Sequence, residues 1–379
     1  MQNKKKEDTL KPLKVIVSGG GTGGHIFPAI AIANAIKALR PDTQFLFVGA
    51  KGKMEMEKVP AAGYEIEGLW ISGLQRRLTL TNLSFPFKLI SSLAKANRIL
   101  RKFRPDAVIG TGGFASGPML RAASKKGIVT LIQEQNSYPG ITNKLLSKRV
   151  NKICVAYAGM ERFFPKEKIL LTGNPVRQDL MNIEGKRDRA LEHFGLKPDK
   201  KIILVIGGSL GARTINESII NCLPAFEKNN IQLIWQTGKS FYETAKQKVG
   251  ASSAKGIKVY DFIQKMDLAY AAADIVVSRA GASSVSEISL VKKPCILVPS
   301  PNVAEDHQTK NAMALVTYHA AILIPDKVAR EQLCERSLSL VNDVEQCFKL
   351  SENISQLAFR DSANVIANEV INLINQHKS

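Results

Sequence analysis

Two stretches of this chain repeat one device: "KVIVSGGGTGG", Lys14 to Gly24, and "KIILVIGGSLGA", Lys201 to Ala212, each set an apolar strand against a glycine-rich turn that opens a helical run. A strand that is apolar throughout must be covered on both faces, which in an alternating strand and helix pattern means a parallel sheet between helical layers. Later in each half a second pair recurs, "PDAVIGTGGFASGP" (Pro105 to Pro118) and "ADIVVSRAGASSVSE" (Ala273 to Glu287), each followed by one more apolar strand, "GIVTLIQEQN" and "PCILVPSPN". That shared order predicts an α/β chain of two doubly wound, Rossmann-like parallel-sheet domains facing a central cleft. Ligands are expected at the carboxyl ends of the strands, where the glycine loops fall.

A length of 379 residues fits two domains of ~100 to 200 residues each. The break is expected near "LLTGNPVR", Leu170 to Arg177, because Gly-Asn-Pro interrupts regular structure. Residues 1–173 and 174–359 are therefore read as the two domains. The helical spacing from Ala363 to Ile374 predicts a last helix, within 360–379, that packs back on the first domain.

The formal net charge is +20, which implies attraction to polyanions: nucleic acid, anionic lipid or phosphorylated substrates. From Gly68 to Pro105 there is no Asp or Glu, while Arg76, Arg77, Lys88, Lys95, Arg98, Arg101, Lys102 and Arg104 alternate with leucines, isoleucines and phenylalanines. A stretch both basic and apolar reads as a membrane-surface element, Leu74 to Arg104. An amphipathic helix with its stripe on the sheet, from Lys88 to Lys102, fits the spacing too. No familiar nucleic-acid-reading module is present. The five cysteines form no CxxC pair and read as reduced thiols of a cytosolic protein. Neither a signal peptide nor a membrane span of ~20 apolar residues is expected.

Gly19, Gly21 and Gly24 fit the GxGxxG spacing, which brings backbone N–H groups close to a phosphate. A dinucleotide fingerprint also wants an acid at the end of the next strand, and "FLFVGA" ends in Gly49 and Ala50. Nicotinamide and flavin cofactors are accordingly not expected. His25 is placed where the helix begins, with Pro28 suited to its first turn, and the positive end of the dipole there favours a neutral imidazole that can act as a base. In the second half Gly207, Gly208, Ser209 and Gly211 form another phosphate turn, and Glu287 is placed to take both hydroxyls of a ribose. Ser284-x-x-Glu287 equally fits a capping box.

Together these residues resemble the MurG family, the UDP-N-acetylglucosamine:lipid I N-acetylglucosaminyltransferases of bacterial cell-wall synthesis, which have the GT-B fold. The similar motifs run in order from Lys14 to about Ala314: "GGGTGGHIFPA", "GTGGFASGP", "EQNSYPGITNK", "LTGNPVR", "GGSLGA", "DFIQKM", "SRAGASSVSEI" and "EDHQTKNA". Two positions depart from many relatives, Gln133 where a His is common and Leu210 where a Gln is common.

The resemblance implies a UDP-GlcNAc donor held mainly by the second domain. The uracil would be read by backbone around Phe262 and Ile263, the ribose held by Glu287, the diphosphate met by Ser209 and Arg177, and the sugar touched by Gln308, with His307 and Asn311 as further candidates. Asn136 would face the sugar from the first domain, and Thr22, Gly23 and Gly24 would border the donor. Gly20, Gly21, Thr22 and the loop of Gly112, Gly113, Ser116 and Gly117 would cradle the diphosphate of lipid I. His25 would be the base of an inverting transfer to the C4 hydroxyl of MurNAc, with Glu134 in reserve, and no metal or cofactor would enter. It further implies a peripheral place on the cytoplasmic face of the inner membrane, with other cell-wall enzymes as candidate protein partners. Another GT-B transferase using a different lipid acceptor, or a non-catalytic nucleotide-sugar-binding protein, fits many of the same motifs.

Overall fold

The runs of Val, Ile and Leu that begin each half are buried on both faces. In the computed structural model, which describes residues 11–73, 84–208, 211–252 and 255–378, Val15, Ile16 and Val17 are wholly buried, as are Ile203, Leu204 and Val205. The first sheet comprises β1 (Lys14–Gly19), β2 (Gln44–Ala50), β3 (Ile66–Leu69), β4 (Ala107–Gly112), β5 (Val129–Glu134), β6 (Lys152–Val155) and β7 (Ile169–Leu171). All pairs are parallel, in the order β3-β2-β1-β4-β5-β6-β7. The second comprises β8 (Ile202–Ile206), β9 (Gln232–Gln236), β10 (Ile257–Tyr260), β11 (Ile275–Ser278), β12 (Cys295–Leu297) and β13 (Ile322–Leu323), also parallel, in the order β10-β9-β8-β11-β12-β13. This is the GT-B architecture of two Rossmann-like sheets.

Alternation along each strand decides which helices cover which face. Val15 and Val17 join the core of α1 (Gly23–Leu39) and α14 (Ser362–Lys378), while Ile16 joins that of α3 (Phe85–Phe103) and α4 (Ser116–Lys125). Two shorter helices complete this half, α2 (Glu55–Ala61) and α5 (Ile141–Leu146), while α6 (Arg187–Phe194) packs Ala190, Leu191 and Phe194 into the core of the second. The second sheet is flanked by α7 (Arg213–Lys228), α8 (Lys239–Gly250), α9 (Met266–Ala272), α10 (Ala282–Leu290), α11 (His307–Val316), α12 (Ala329–Asn342) and α13 (Val344–Ser355). Helix α14 returns to the first half, burying Ile366, Val370 and Ile374 beside Ile32 and Ile36 of α1. Gly173, with φ +73°, lies against Phe359, so the two chain crossings between the halves touch.

Strand order reverses between β1 and β4 and again between β8 and β11, and a crevice opens at such a point. The glycine turns after β1 and β8 both fall there. The basic, apolar stretch is described only in part, since Leu74 to Leu83 lie outside the described residues. Within it, α3 extends the expected helix by three residues at its start and one at its end. It packs Ala96, Ile99 and Leu100 on the sheet while leaving Phe87 and Ile90 exposed. The amphipathic-helix expectation therefore describes α3. Cys154, Cys222 and Cys295 are buried, Cys334 and Cys347 half-buried, and all five are free thiols.

Candidate functional site

Helix α1 starts at Gly23, with Thr22 in extended conformation as its cap and the Thr22 carbonyl accepting from the N–H groups of His25 (3.1 Å) and Ile26 (3.2 Å). His25 is thus the third helical residue, as expected of a helix start. Pro28 is not in the first turn but in the second: the helix begins on the glycines themselves, earlier than their low helix propensity indicates. His25 Nδ1 lies 2.9 Å from the Gly20 carbonyl oxygen. A carbonyl only accepts, so Nδ1 carries the hydrogen and, in the neutral ring, Nε2 keeps its lone pair. Thr111 Oγ1 donates to the His25 carbonyl (2.8 Å), tying this turn to β4.

The second glycine loop lies against the first. A Cβ on Gly112, where φ is +99°, would meet His25 Cδ2 and Nε2 at 2.9 Å, and one on Gly113, at φ +84°, would strike the Gly20 backbone. Only glycine permits both the backbone angle and the approach. Ser116 does not face this loop's open side as its expected phosphate role requires: its hydroxyl is fully buried and donates to the Ser18 and Gly112 carbonyls at 2.9 and 2.7 Å. Gly117 is half-buried at the start of α4.

Beneath the first turn lies a residue that spacing did not single out. The Glu55 carboxylate is 1% exposed; Oε2 accepts the Gly21 N–H (2.8 Å) and Oε1 the Ala50 N–H (2.9 Å). The Gly21 N–H is therefore engaged from below, and the N–H groups of Gly23 and Gly24, at the first two positions of α1, are the ones left outside the helix ladder. Glu55 is the first residue of α2, and its carboxylate binds backbone beneath the turn rather than facing outward as a ribose-binding acid at the end of β2 would.

Glu134 cannot serve as the reserve base in this arrangement. Oε1 accepts from Asn136 N and Nδ2 (3.0 and 3.2 Å), Oε2 from Gly140 N and Asn143 Nδ2 (3.1 and 2.8 Å), and the side chain is buried. Its role is to shape the loop between β5 and α5. Asn136 is turned from the expected sugar contact: its Oδ1 accepts from Asn311 Nδ2 (3.1 Å), and the buried Asn311 Oδ1 accepts from Ser137 N (3.0 Å). Nearby, Gln133 Nε2 donates to Asn174 Oδ1 (2.9 Å), and Asn174 Nδ2 donates to Gln135 O and Ser286 Oγ, both at 3.0 Å. These bonds join the β5 end of the first half to α10 and α11 of the second.

In the second half, Arg177 Nε and Glu287 Oε1 pair at 3.2 Å, and the Tyr270 hydroxyl donates to Glu287 Oε2 at 3.2 Å. Burial pushes the Glu287 carboxyl above its ordinary range despite the pull of Arg177, and it pushes the Tyr270 phenol up as well. The capping-box reading fails, because α10 begins at Ala282 with Gly281 as its cap and Glu287 is six residues in. Ser209 and Leu210 lie outside the described residues. The Ile263 N–H donates to Gln236 Oε1 (2.9 Å) and the Phe262 N–H to Asp261 (2.7 Å), with the Phe262 ring exposed. Gln308 Oε1 accepts from Ser300 N (2.8 Å), and Arg279 holds the same loop by donating to the Val298 and Pro299 carbonyls (3.1 Å each) while paired with Asp326. A cavity of about 690 Å³ opens between the starts of α7 and α8, lined by Gly211, Arg213 and Ser240 among others; neither His25 nor Glu287 lines it. Among the described residues no group of three or more His, Cys, Asp or Glu could hold a metal.

The glycosyltransferase family 28 N-terminal domain matches residues 15–155 and its C-terminal domain residues 202–366. The chain is 56% identical over 370 residues to the UDP-N-acetylglucosamine–N-acetylmuramyl-(pentapeptide) pyrophosphoryl-undecaprenol N-acetylglucosamine transferase of Flavobacterium psychrophilum, covering 98% of this chain and 100% of that one. The corresponding transferase of Cytophaga hutchinsonii is 57% identical over 365 residues, 96% of this chain and 98% of that one. This chain belongs to the MurG family of glycosyltransferases. The crystal structure of MurG from Acinetobacter baumannii superposes with a TM-score of 0.77 at 28% identity, covering 95% of this chain and 100% of that one.

In this MurG-family chain the first domain thus sets the His25 ring beside Gly112 at a switch point, and the second holds a half-buried carboxylate between a guanidinium and a phenol. The residues that sequence reasoning missed are Glu55, Asn174, Arg279 and Tyr270. Each acts through a partner at least 17 positions away, so no local spacing signals it.

Proposed function

We propose that this chain transfers GlcNAc from UDP-GlcNAc to the C4 hydroxyl of MurNAc in lipid I, forming lipid II, by one displacement that inverts the anomeric carbon. The observation that carries the reading is the His25 ring, whose Nδ1–H is held by the Gly20 carbonyl and whose Nε2 lies against Gly112 at the switch point of the first sheet. Nε2 takes the acceptor proton as the C4 oxygen attacks the anomeric carbon, and the C1–O bond to UDP breaks. The leaving diphosphate is met by Arg177 and by the turn at Gly211, with Ser209 as a further donor, so the charge is stabilised without a metal. Glu287 holds the ribose diol in place of part of its bond to Arg177. Uracil at Phe262 and Ile263 exchanges the Ile263–Gln236 bond for its own, and Gln308 borders the sugar. The glycine turn of Gly20, Gly21 and Thr22, together with Gly112, Gly113 and Gly117, borders the acceptor diphosphate, while Thr22, Gly23 and Gly24 border the donor. The domain of residues 1–173 with the last helix takes the acceptor, and 174–359 takes the donor.

The test is UDP release from UDP-GlcNAc with a short-chain lipid I analogue in EDTA, with the anomeric configuration of the product read by NMR. Acceptor-dependent release, unchanged by EDTA and giving a β-linked product, is expected. Donor binding without UDP release from lipid I would remove the acceptor assignment.

The acceptor is lipid-bound, so the enzyme works at the cytoplasmic membrane face. We assign docking to Leu74 through Arg104. Phe87 and Ile90, near the start of α3, are 70% and 66% exposed, and Arg98, Arg101, Lys102 and Arg104, toward and just past its end, are exposed too. Lys88 and Lys95 are already engaged, with Ser72 and with Glu67. Each free cation near an anionic leaflet adds about 1 kcal/mol. Replacing Phe87 and Ile90 together by serine is expected to weaken binding to phosphatidylglycerol vesicles about tenfold or more. Raising salt should weaken the parent's binding as well. Sedimentation with vesicles reads both, and salt-independent binding of the parent would count against this surface.

A further inference from the structure

We infer that Glu55 is a positioning residue for His25 and acts through the peptide group that joins Gly20 to Gly21. The two ends of that one amide are used by two side chains: its N–H, on Gly21, donates to Glu55 Oε2 at 2.8 Å, and its carbonyl, on Gly20, accepts from His25 Nδ1 at 2.9 Å. A carboxylate on the N–H end polarises the amide and makes its oxygen a stronger acceptor, since hydrogen bonds in a chain reinforce one another in a low-dielectric site. The oxygen in turn holds the Nδ1–H tautomer, fixes the ring plane and leaves Nε2 as the basic nitrogen.

The surroundings fit a built device. Glu55 is 1% exposed, and among the described residues it makes no ion pair. A Cβ on Gly20 would strike the carboxyl group and one on Gly49 the Glu55 Cγ, so glycine at both positions leaves room for the side chain. Oε1, bonded to Ala50 N, anchors the side chain to the end of β2, which leaves Oε2 free to address the turn. The inference rests on the reading of His25 as the base. In the reaction, the acceptor hydroxyl proton passes to Nε2, the Nδ1–H stays in place, and the imidazolium that forms is stabilised through the Gly20 oxygen. No proton reaches Glu55.

The experiment is a double-mutant cycle with Glu55→Gln and His25→Ala, with Glu55→Asp as a variant that keeps the charge but shortens its reach. Glu55→Gln is expected to lower kcat about 10- to 30-fold, with KM for UDP-GlcNAc within about twofold, and to change nothing further in the His25→Ala background. Glu55→Asp should fall between Glu55→Gln and the parent. Nitrogen-15 spectra of histidine-labelled protein, with the His25 signals assigned among the five histidines by His25→Ala, should show less of the Nδ1–H tautomer in Glu55→Gln. If Glu55→Gln slows the His25→Ala protein as much as the parent, or leaves the tautomer unchanged, Glu55 merely supports the turn and the inference fails. If His25→Ala itself retains turnover, the base assignment fails, and the tautomer spectra still decide whether Glu55 acts on the ring.

Discussion

Replacing His25 by alanine should lower turnover about 10³-fold while UDP-GlcNAc affinity stays within about twofold, because a general base acts on the transferring proton and not on the donor's nucleotide. Gly112→Ala should reproduce most of that loss without touching the imidazole chemically. Its Cβ would stand 2.9 Å from His25 Cδ2 and Nε2, so the ring must swing or the β4 end must shift. A displacement of about 1 Å at a reacting group is enough for roughly a 10²-fold loss. Its φ of +99° adds a backbone cost of about 1 to 3 kcal/mol. Gly127→Ala separates the two contributions: φ there is +70°, and nothing lies within 4 Å of the Cβ position. It should lower the thermal midpoint and leave kcat alone. Steady-state UDP release and calorimetric donor binding on the three variants check this. A Gly112→Ala enzyme with full turnover would show that the ring is not held at its reacting position by this loop.

What made the fold legible is that its two halves repeat one arrangement in which local sequence is decisive. An apolar run followed by Gly-Gly dictates a buried parallel strand and a close-approach turn, and both occurrences fall where strand order reverses. His25 was legible for the same reason, being fixed by the helix start that the glycines create. Errors arose where a short pattern had two physical meanings. Ser284-x-x-Glu287 matches a capping box, yet the extended backbone of Gly281 starts α10 three residues earlier, so Glu287 falls on the second turn and points at Tyr270 and Arg177. "EQN" offered Glu134 as a base, yet the loop folds back and spends both of its oxygens on four donors.

The cross-domain bonds were not legible at all. Asn311 and Ser137 are 174 positions apart, Asn174 and Gln133 41 apart, and an amide side chain carries no periodic signal to say what it will meet. Together they explain why Asn136 and Asn311, both offered as sugar contacts, are instead engaged with one another. A buried amide left without its partner costs about 1 to 3 kcal/mol, so the bonds favour this one relative placement of the two halves.

Glu287→Ala is expected to weaken UDP-GlcNAc binding about 10²-fold, since a charged acceptor's hydrogen bonds to a diol contribute about 1.5 to 3 kcal/mol beyond those it gives up. The variant also leaves Arg177 and the buried Tyr270 hydroxyl without the group that pairs them. The pH dependence gives the sharper signature. The ordinary value for this carboxyl is 4.5, and burial raises it in the folded chain. Between the two values the folded chain holds a proton that the unfolded chain does not, so this group's contribution to stability falls as pH rises through that window and is level above it. Donor affinity must run the opposite way: acidification protonates Glu287, removes an acceptor for the ribose and loosens the pair with Arg177. Calorimetric titration of UDP-GlcNAc and urea unfolding across this range should therefore show affinity lost on the acid side while the Glu287 contribution to stability rises. Glu287→Gln, neutral at every pH, should bind weakly throughout and flatten both profiles. An acid limb in donor affinity that survives Glu287→Gln would assign the ribose contact to another group.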